Sequence, residues 1–154
     1  MSQAGARLFA VVPGVMPERL SDPRIQTFLA TKDVVVLATV EAAGTPLLTP
    51  MWFCHDPDAL TMVSLAHHRK VRNLERDPRA AVVAEAGTRG DIRGVTVEGD
   101  AEFLAESAER RALLARFLDR YHPHLERRWG GRAMPTDRVL FRIVPRRVRS
   151  WGLP

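Results

Sequence analysis

The stretch Val63-Ser64-Leu65-Ala66-His67-His68-Arg69-Lys70-Val71-Arg72-Asn73-Leu74-Glu75-Arg76-Asp77-Pro78-Arg79-Ala80 changes period in the middle of the chain. Leu60 to Leu65 is a short apolar run that suits a strand. From Arg69 to Arg76 the apolar residues Val71 and Leu74 fall three apart, the spacing of a helix face. Asp77-Pro78 ends that helix, because proline pushes the residue before it out of the α region. Arg79 to Ala84 then returns to strand. A short basic helix therefore separates an earlier set of strands from a later one.

Upstream, Asp33 to Val40 is a β-branched run, apolar on both faces, as expected of a central strand. Glu41-Ala42-Ala43-Gly44-Thr45-Pro46 supplies a turn, Leu47 to Phe53 a second strand, and Asp56-Pro57-Asp58 another turn before Leu60 to Leu65. These three strands are expected to form a meander. Ser21-Asp22-Pro23 reads as a helix start, with a capping side chain and a proline in the first turn; Ile25, Phe28 and Leu29 would be its inner face. Residues 1–20 show no sustained period and read as an N-terminal arm, leaving 21–154 as one domain. Downstream, Ala86 to Asp91 reads as a loop, and Ile92 to Leu104 as an alternating strand interrupted at Gly99-Asp100 by a bulge or bend. Ser107 starts an amphipathic helix through Tyr121, with Leu113, Leu114, Phe117, Leu118 and Tyr121 on one face. His122 to Thr136 holds Pro123, Gly130, Gly131 and Pro135 and reads as a loop, before a final strand over Arg138 to Val144 and Arg147 to Trp151. The expectation is a mainly β protein with helices, of the α+β class. Its six strands do not alternate with helices, which disfavours a doubly wound sheet and favours a small antiparallel barrel.

The chain has 154 residues, 45% apolar and 27% charged, as for one globular domain able to bury a core. No apolar run approaches the ~20 residues of a membrane span, and the first 20 residues lack the features of a signal peptide, so the expected location is the cytoplasm with no membrane partner. Cys54, the lone cysteine, has no internal partner for a disulfide. The 23 basic against 18 acidic side chains give +5, and every basic residue is arginine except Lys32 and Lys70. Arginines are interleaved with acids, as in Glu75-Arg76-Asp77-Pro78-Arg79, which reads as a solvated surface, with no nucleic-acid partner.

Chemistry concentrates where the Val63–Leu65 strand end meets the basic helix. Ser64, His67, His68, Arg69, Lys70 and Arg72 surround a helix N-terminus, whose free N–H groups and dipole attract an anion such as phosphate. Spacing alone favours the bland alternative, in which these side chains are simply solvated on a helix face. His67-His68 and His122-Pro123-His124 lack an associated acid or helical His-x-x-x-His spacing, so no metal site is expected. For Cys54 a small residue at a strand end is the expected role.

Taken together, the Gly44-Thr45-Pro46 hairpin, the strand ending Pro50-Met51-Trp52-Phe53, the strand ending Val63-Ser64, then Arg69-Lys70, Asn73-Leu74 and Asp77-Pro78-Arg79 resemble the pyridoxamine 5'-phosphate oxidase-like superfamily of flavin-binding split barrels. The likeness runs from Pro23 to Trp151. It implies a homodimer of six-stranded antiparallel split β-barrels with flavin or deazaflavin in a groove at the subunit interface. By resemblance, Arg69 and Lys70 hold the cofactor phosphate, Ser64 reaches it from the strand end, Thr49, Pro50, Met51 and Trp52 line the ring, and His68 and Arg72 belong to the same cofactor site. The strand Leu47 to Phe53 carries none of the basic residues that a vitamin B6 oxidase uses, and near the end of the chain Arg149-Ser150-Trp151-Gly152 stands in place of that enzyme's basic motif. The Lys70-Val71-Arg72-Asn73-Leu74 run and the Trp-Gly ending look more like the actinobacterial branch that uses coenzyme F420, whose acidic tail suits the +5 balance. The cofactor ranking is coenzyme F420, then FMN, then haem. The function implied is an oxidoreductase passing hydride from reduced coenzyme F420 to a small conjugated or hydrophobic substrate; an FMN-dependent enzyme or a non-catalytic carrier are the alternatives. No catalytic acid or base is assigned from sequence.

Overall fold

A computed structural model describes residues 17–154; residues 1–16 of the expected arm lie outside the described residues. The order is α1 (Pro23–Ala30), β1 (Val34–Val40), β2 (Pro46–Trp52), β3 (Cys54–His55), β4 (Leu60–Leu65), α2 (Arg69–Arg76), β5 (Arg79–Thr88), β6 (Asp91–Phe103), α3 (Ala108–Tyr121), α4 (His124–Trp129) and β7 (Arg138–Trp151). All strand pairs are antiparallel, in one sheet of order β2-β1-β5-β6-β7-β4-β3.

That order corrects three expectations. The first three strands are not a meander: β1 and β2 form the hairpin, but β4 pairs with β7 at the other end of the sheet. The additional strand β3 makes seven strands where six were expected. The final strand, expected over 138–144 and 147–151, runs on through residues 145 and 146 as β7, and its residues 141–151 pair with β6, with a register shift between Glu98 and Gly99 and Pro145 opposite Gly99. Proline has no N–H to give the ladder, so it falls where the pairing is already irregular. Gly99 is required there, since a Cβ would lie 2.0 Å from the Val144 carbonyl oxygen.

Because β2 and β3 are separated only by Phe53, the two ends of the strand order must meet in space, and the sheet curls into a half-barrel. The seam is closed by a side chain rather than by a ladder. Tyr121 Oη accepts from the Phe53 N–H at 2.7 Å and lies 2.8 Å from the carbonyl oxygens of both Phe53 and Asp33, to which its single proton donates. Two prolines, Pro46 and Pro50, are tolerated in β2 because this strand has a neighbour on one side only.

Alternation fills the interior. Val35 and Leu37 of β1, Leu60 and Met62 of β4, Val95 and Val97 of β6 and Phe141 and Ile143 of β7 are fully buried, with Ile25, Phe28 and Leu29 of α1 against them. Asp22 caps α1 by accepting from the Arg24 N–H at 2.9 Å, with Pro23 in the first turn, and Ser107 caps α3 through the Arg110 N–H at 3.0 Å. A smaller cluster of Cys54, Phe117, Leu118, Tyr121 and Leu125 lies under the seam, joined by Trp52 and Trp129. Leu20 is buried and Glu18 accepts from the Ser150 hydroxyl at 2.6 Å, so residues 17–20 run against the body.

None of the described helices is long and apolar enough to cross a membrane. The arginines are largely paired with acids on the surface, as in Arg79 with Asp77 at 2.7 Å and Arg142 with Glu102 at 3.0 Å and Glu109 at 2.6 Å.

Candidate functional site

Where β2 and β4 approach without pairing, a groove of about 420 Å³ opens. Strand β2 contributes Pro50, Met51 and Trp52, and β1 contributes Val34. The end of β4 contributes Val63, Ser64 and Leu65, and α2 brings Lys70 with its N-cap residue His68. Phe117 of α3, Leu125, Arg128 and Trp129 of α4, and Arg138 at the start of β7 complete the wall. Among the described residues, no carboxylate lines the groove.

Strand β4 ends at Leu65, where the chain turns into α2. The turn is fixed by the His68 N–H donating to the Leu65 carbonyl at 3.2 Å and the Ala66 N–H to that of Asp137 at 2.9 Å. Helix α2 is pinned to the sheet by buried Asn73, which donates to Thr39 Oγ1 at 3.0 Å, and Arg76 bonds Asn73 Oδ1 at 3.1 Å and the Val40 carbonyl. Asn73-Leu74 is therefore the anchor of the helix, and the N-terminal end is the part left to face the groove. No side chain caps that end, so its first-turn N–H groups have no side-chain acceptor. Lys70 Nζ lies 3.3 Å from His68 Nδ1. Burial pushes the Lys70 ammonium below its ordinary value; it also lowers His68, helped by the charges of Lys70, His67 and Arg138. Both shifts favour the neutral forms, and an anion placed beside the two groups would oppose them.

The other end is aromatic. Trp52 stacks on Tyr121 with centroids 4.6 Å apart and planes 5° from parallel, and the Arg128 guanidinium lies over the same indole at 5.4 Å. Burial raises the Tyr121 phenol, which keeps it a neutral donor. Cys54 is buried beneath, its thiol pushed up to about 11 by burial, so it packs as a small apolar residue, as expected.

Pro50, Met51, Trp52, Ser64, His68 and Lys70 thus come together in one groove. Thr49, Arg69 and Arg72 do not line it. Thr49 is paired with fully buried Leu37 and shares its inward face; Arg69 is ion-paired with Glu41 near the β1–β2 turn; Arg72 is exposed on α2. Arg128 and Trp129 were missed because their segment read as loop. The available signal was Pro123 before, Gly130 after, and Leu125 and Trp129 four apart between them, a short helix ended by Gly130 in the left-handed conformation (φ 73°). Among the described residues no three histidine, cysteine or acidic side chains gather as a metal site. His122 pairs with Glu126 and His124 with Arg127.

Comparison with known proteins agrees with this architecture. Residues 21–152 match the family model described as pyridoxamine 5'-phosphate oxidase. Among solved structures, the conserved hypothetical protein Rv2991 from Mycobacterium tuberculosis is 32% identical with a TM-score of 0.73, covering 90% of this chain and 86% of that one. HutZ, the heme storage protein from Vibrio cholerae, is 23% identical (TM-score 0.73; 88% and 97% covered), and a FAD-binding protein from Mesorhizobium loti is 20% identical (TM-score 0.66; 80% and 87% covered). The last two likenesses concern the fold. With the family model spanning the chain from α1 to the end of β7 and a relative of this identity along nearly all of it, the chain belongs to the pyridoxamine 5'-phosphate oxidase family of split barrels.

Proposed function

We propose that the groove binds a phosphate-bearing flavin or deazaflavin and that the protein is an oxidoreductase acting on a small conjugated or hydrophobic substrate. The observation that carries this reading is a groove with an apolar and aromatic wall, two cations without a carboxylate partner among the described residues, and no acid in its lining. Its volume falls within the range of roughly 300–1,000 Å³ usual for cofactor and small-ligand pockets. A planar ring fits the Met51, Trp52 and Val63 side, and a phosphate fits the Lys70 side, where Ser64, His68 and the uncapped N–H groups of α2 converge. When bound, such a cofactor supplies hydride transfer. The protein holds the phosphate, excludes water with Trp52, Phe117, Leu125 and Trp129, and orients the second ligand.

Coenzyme F420 ranks first, FMN second. Strand β2 carries apolar side chains and Thr49 and no basic residue, and the chain's net charge of +5 suits a ligand with more than one anionic group. Haem is the other reading, favoured by the His68 imidazole in the groove, held towards its neutral, metal-binding form. Proteins of this fold described as FAD-binding and as a heme storage protein make both worth testing.

A second copy of the chain completes the site in this proposal. Val34, Val36 and Ala38 of β1, Pro50 and Leu48 of β2 and Val83 of β5 share one outward face by register. Val34 is 45% and Leu48 66% exposed, and the face continues into the groove through Val34 and Pro50. An uncharged face of this kind, running into a cofactor groove, suits a symmetric dimer.

The test is the absorbance spectrum of protein mixed with coenzyme F420, FMN or haem and then desalted. A retained deazaflavin or flavin spectrum supports the reading, retained haem alone replaces it, and no retention refutes it. Incubating the loaded, reduced protein with enones and quinones then separates an enzyme from a carrier.

A further inference from the structure

Around α4 the acidic side chains are already engaged. Glu126 meets His122 at 3.0 Å and Arg132 at 4.0 Å, Asp119 holds Arg132 at 2.7 Å, and Asp137 holds Arg138 at 2.6 Å. Arg127 bonds His124 Nδ1 at 2.8 Å. Among the described residues, Arg128 pairs with none of these acids. It lines the groove, lying over the Trp52 indole. A guanidinium that lies over a ring and has no acid beside it can turn its N–H fork to a ligand, and that fork grips a carboxylate bidentately. Its platform is stiff, because Trp52 is backed by Tyr121, and Leu125 of the same helix is buried in the cluster beneath the seam.

Arg128 and Lys70 line one groove with different neighbours. They come from different helices and share no partner: Lys70 Nζ lies against His68, at the α2 and β4 end with Ser64, and Arg128 lies against Trp52 at the aromatic end. If the phosphate sits at Lys70, a tail extending from it leads away from the aromatic end, and a charge at Arg128 belongs to the molecule that meets the ring. Resting on the cofactor reading above, we propose that Arg128 is a specificity-determining residue that binds a carboxylate of the substrate, so the preferred substrates are conjugated carboxylic acids.

The intact protein, as wild type, Arg128→Gln and Arg128→Lys, is titrated with FMN and coenzyme F420, and each cofactor-loaded form then with a conjugated carboxylic acid and its amide. The expected result is that wild type prefers the acid, that Arg128→Gln weakens the acid about tenfold or more while leaving the amide and both cofactors unchanged, and that Arg128→Lys lies between. Loss confined to coenzyme F420 would assign the carboxylate to the cofactor tail and overturn the substrate proposal. Uniform loss across all ligands would reduce Arg128 to a support for Trp52, and no loss anywhere would overturn it equally. Failure of wild type to bind either ring compound would instead sink the cofactor reading, an outcome distinct from a null effect of Arg128→Gln on a protein that binds them.

Discussion

Replacing Tyr121 by phenylalanine removes one oxygen atom from the seam of the half-barrel and leaves the ring. The hydroxyl is the acceptor for the Phe53 N–H at 2.7 Å and the donor shared between the carbonyls of Asp33 and Phe53, both at 2.8 Å. Phe53 is fully buried, so water cannot take over its N–H without opening the seam. An unsatisfied buried donor costs about 1–3 kcal/mol and a lost hydrogen bond about 1 kcal/mol net, giving an expected loss of about 2–3 kcal/mol. For a domain of this size, that lowers the melting midpoint by roughly 4–12 °C. Urea unfolding followed by tryptophan fluorescence at fixed protein concentration measures it. Stacking on Trp52 at 4.6 Å and the contact with Phe117 at 5.0 Å depend on the ring, so cofactor affinity should be unchanged in Tyr121→Phe and reduced in Tyr121→Leu. A stability change below about 0.5 kcal/mol in Tyr121→Phe, the range of ordinary surface substitutions, would show that the hydroxyl does not hold the seam.

Lys70→Ala should weaken cofactor binding by about 1–3 kcal/mol, roughly tenfold to a hundredfold, with Lys32→Ala, whose ammonium lies over Phe28 in a different region, as the matched control; equal affinities would move the phosphate elsewhere. Binding should also take up protons. His68 titrates below its ordinary 6.5 in the free protein and an adjacent anion raises it, so affinity should increase as pH falls through that region, after correction for a phosphate monoester's own ionisation near ~6; a flat profile in wild type would refute the contact. At the alkaline end affinity should fall as Lys70 deprotonates below its ordinary 10.5, and Lys70→Ala should abolish that limb. Light scattering should give about twice the 17.2 kDa chain mass, and Leu48→Glu, placing a charge on the apolar face, should shift the protein towards monomer; an unchanged dimer would place the interface on another surface.

Local signals were legible in the sequence, and long-range ones were not. The start of α1 at Asp22-Pro23, the limits of β4 and α2, and the cap of α3 at Ser107 each rest on neighbouring residues, and the structure has them at those positions. The pairing of β4 with β7 joins residues 73 to 83 positions apart, from Leu65 with Arg138 to Leu60 with Ile143, and nothing in the period of either strand names its partner. Pro145 read as a break because a proline ordinarily ends a strand, yet opposite the bulge at Gly99 it costs the ladder nothing further. The same division runs through the candidate site. Its α2 side, from Ser64 to Lys70, was visible as one continuous stretch. The facing wall of Phe117, Leu125, Arg128 and Trp129 joins it only through tertiary packing.

The groove lies at the one place where the sheet fails to close, and the two facts have a common cause. In a fully paired barrel the edges of β2 and β4 would be consumed by hydrogen bonds, and side chains between them would be packed out. Here β2 ends in Met51-Trp52, Phe53 crosses the seam, and the chain leaves β4 at Leu65 for a helix. The uncapped end of α2 and the two unneutralised cations are therefore delivered to a gap already walled by apolar residues. Each of these is unfavourable for stability alone, since the end of α2 has no side-chain cap, Lys70 is partly desolvated, and Trp52 is only partly buried. A planar anionic ligand satisfies all three at once. Stability gained on ligand binding should accordingly depend on Lys70 and Trp52 together, and hardly at all on Tyr121 Oη, whose partners are complete without a ligand.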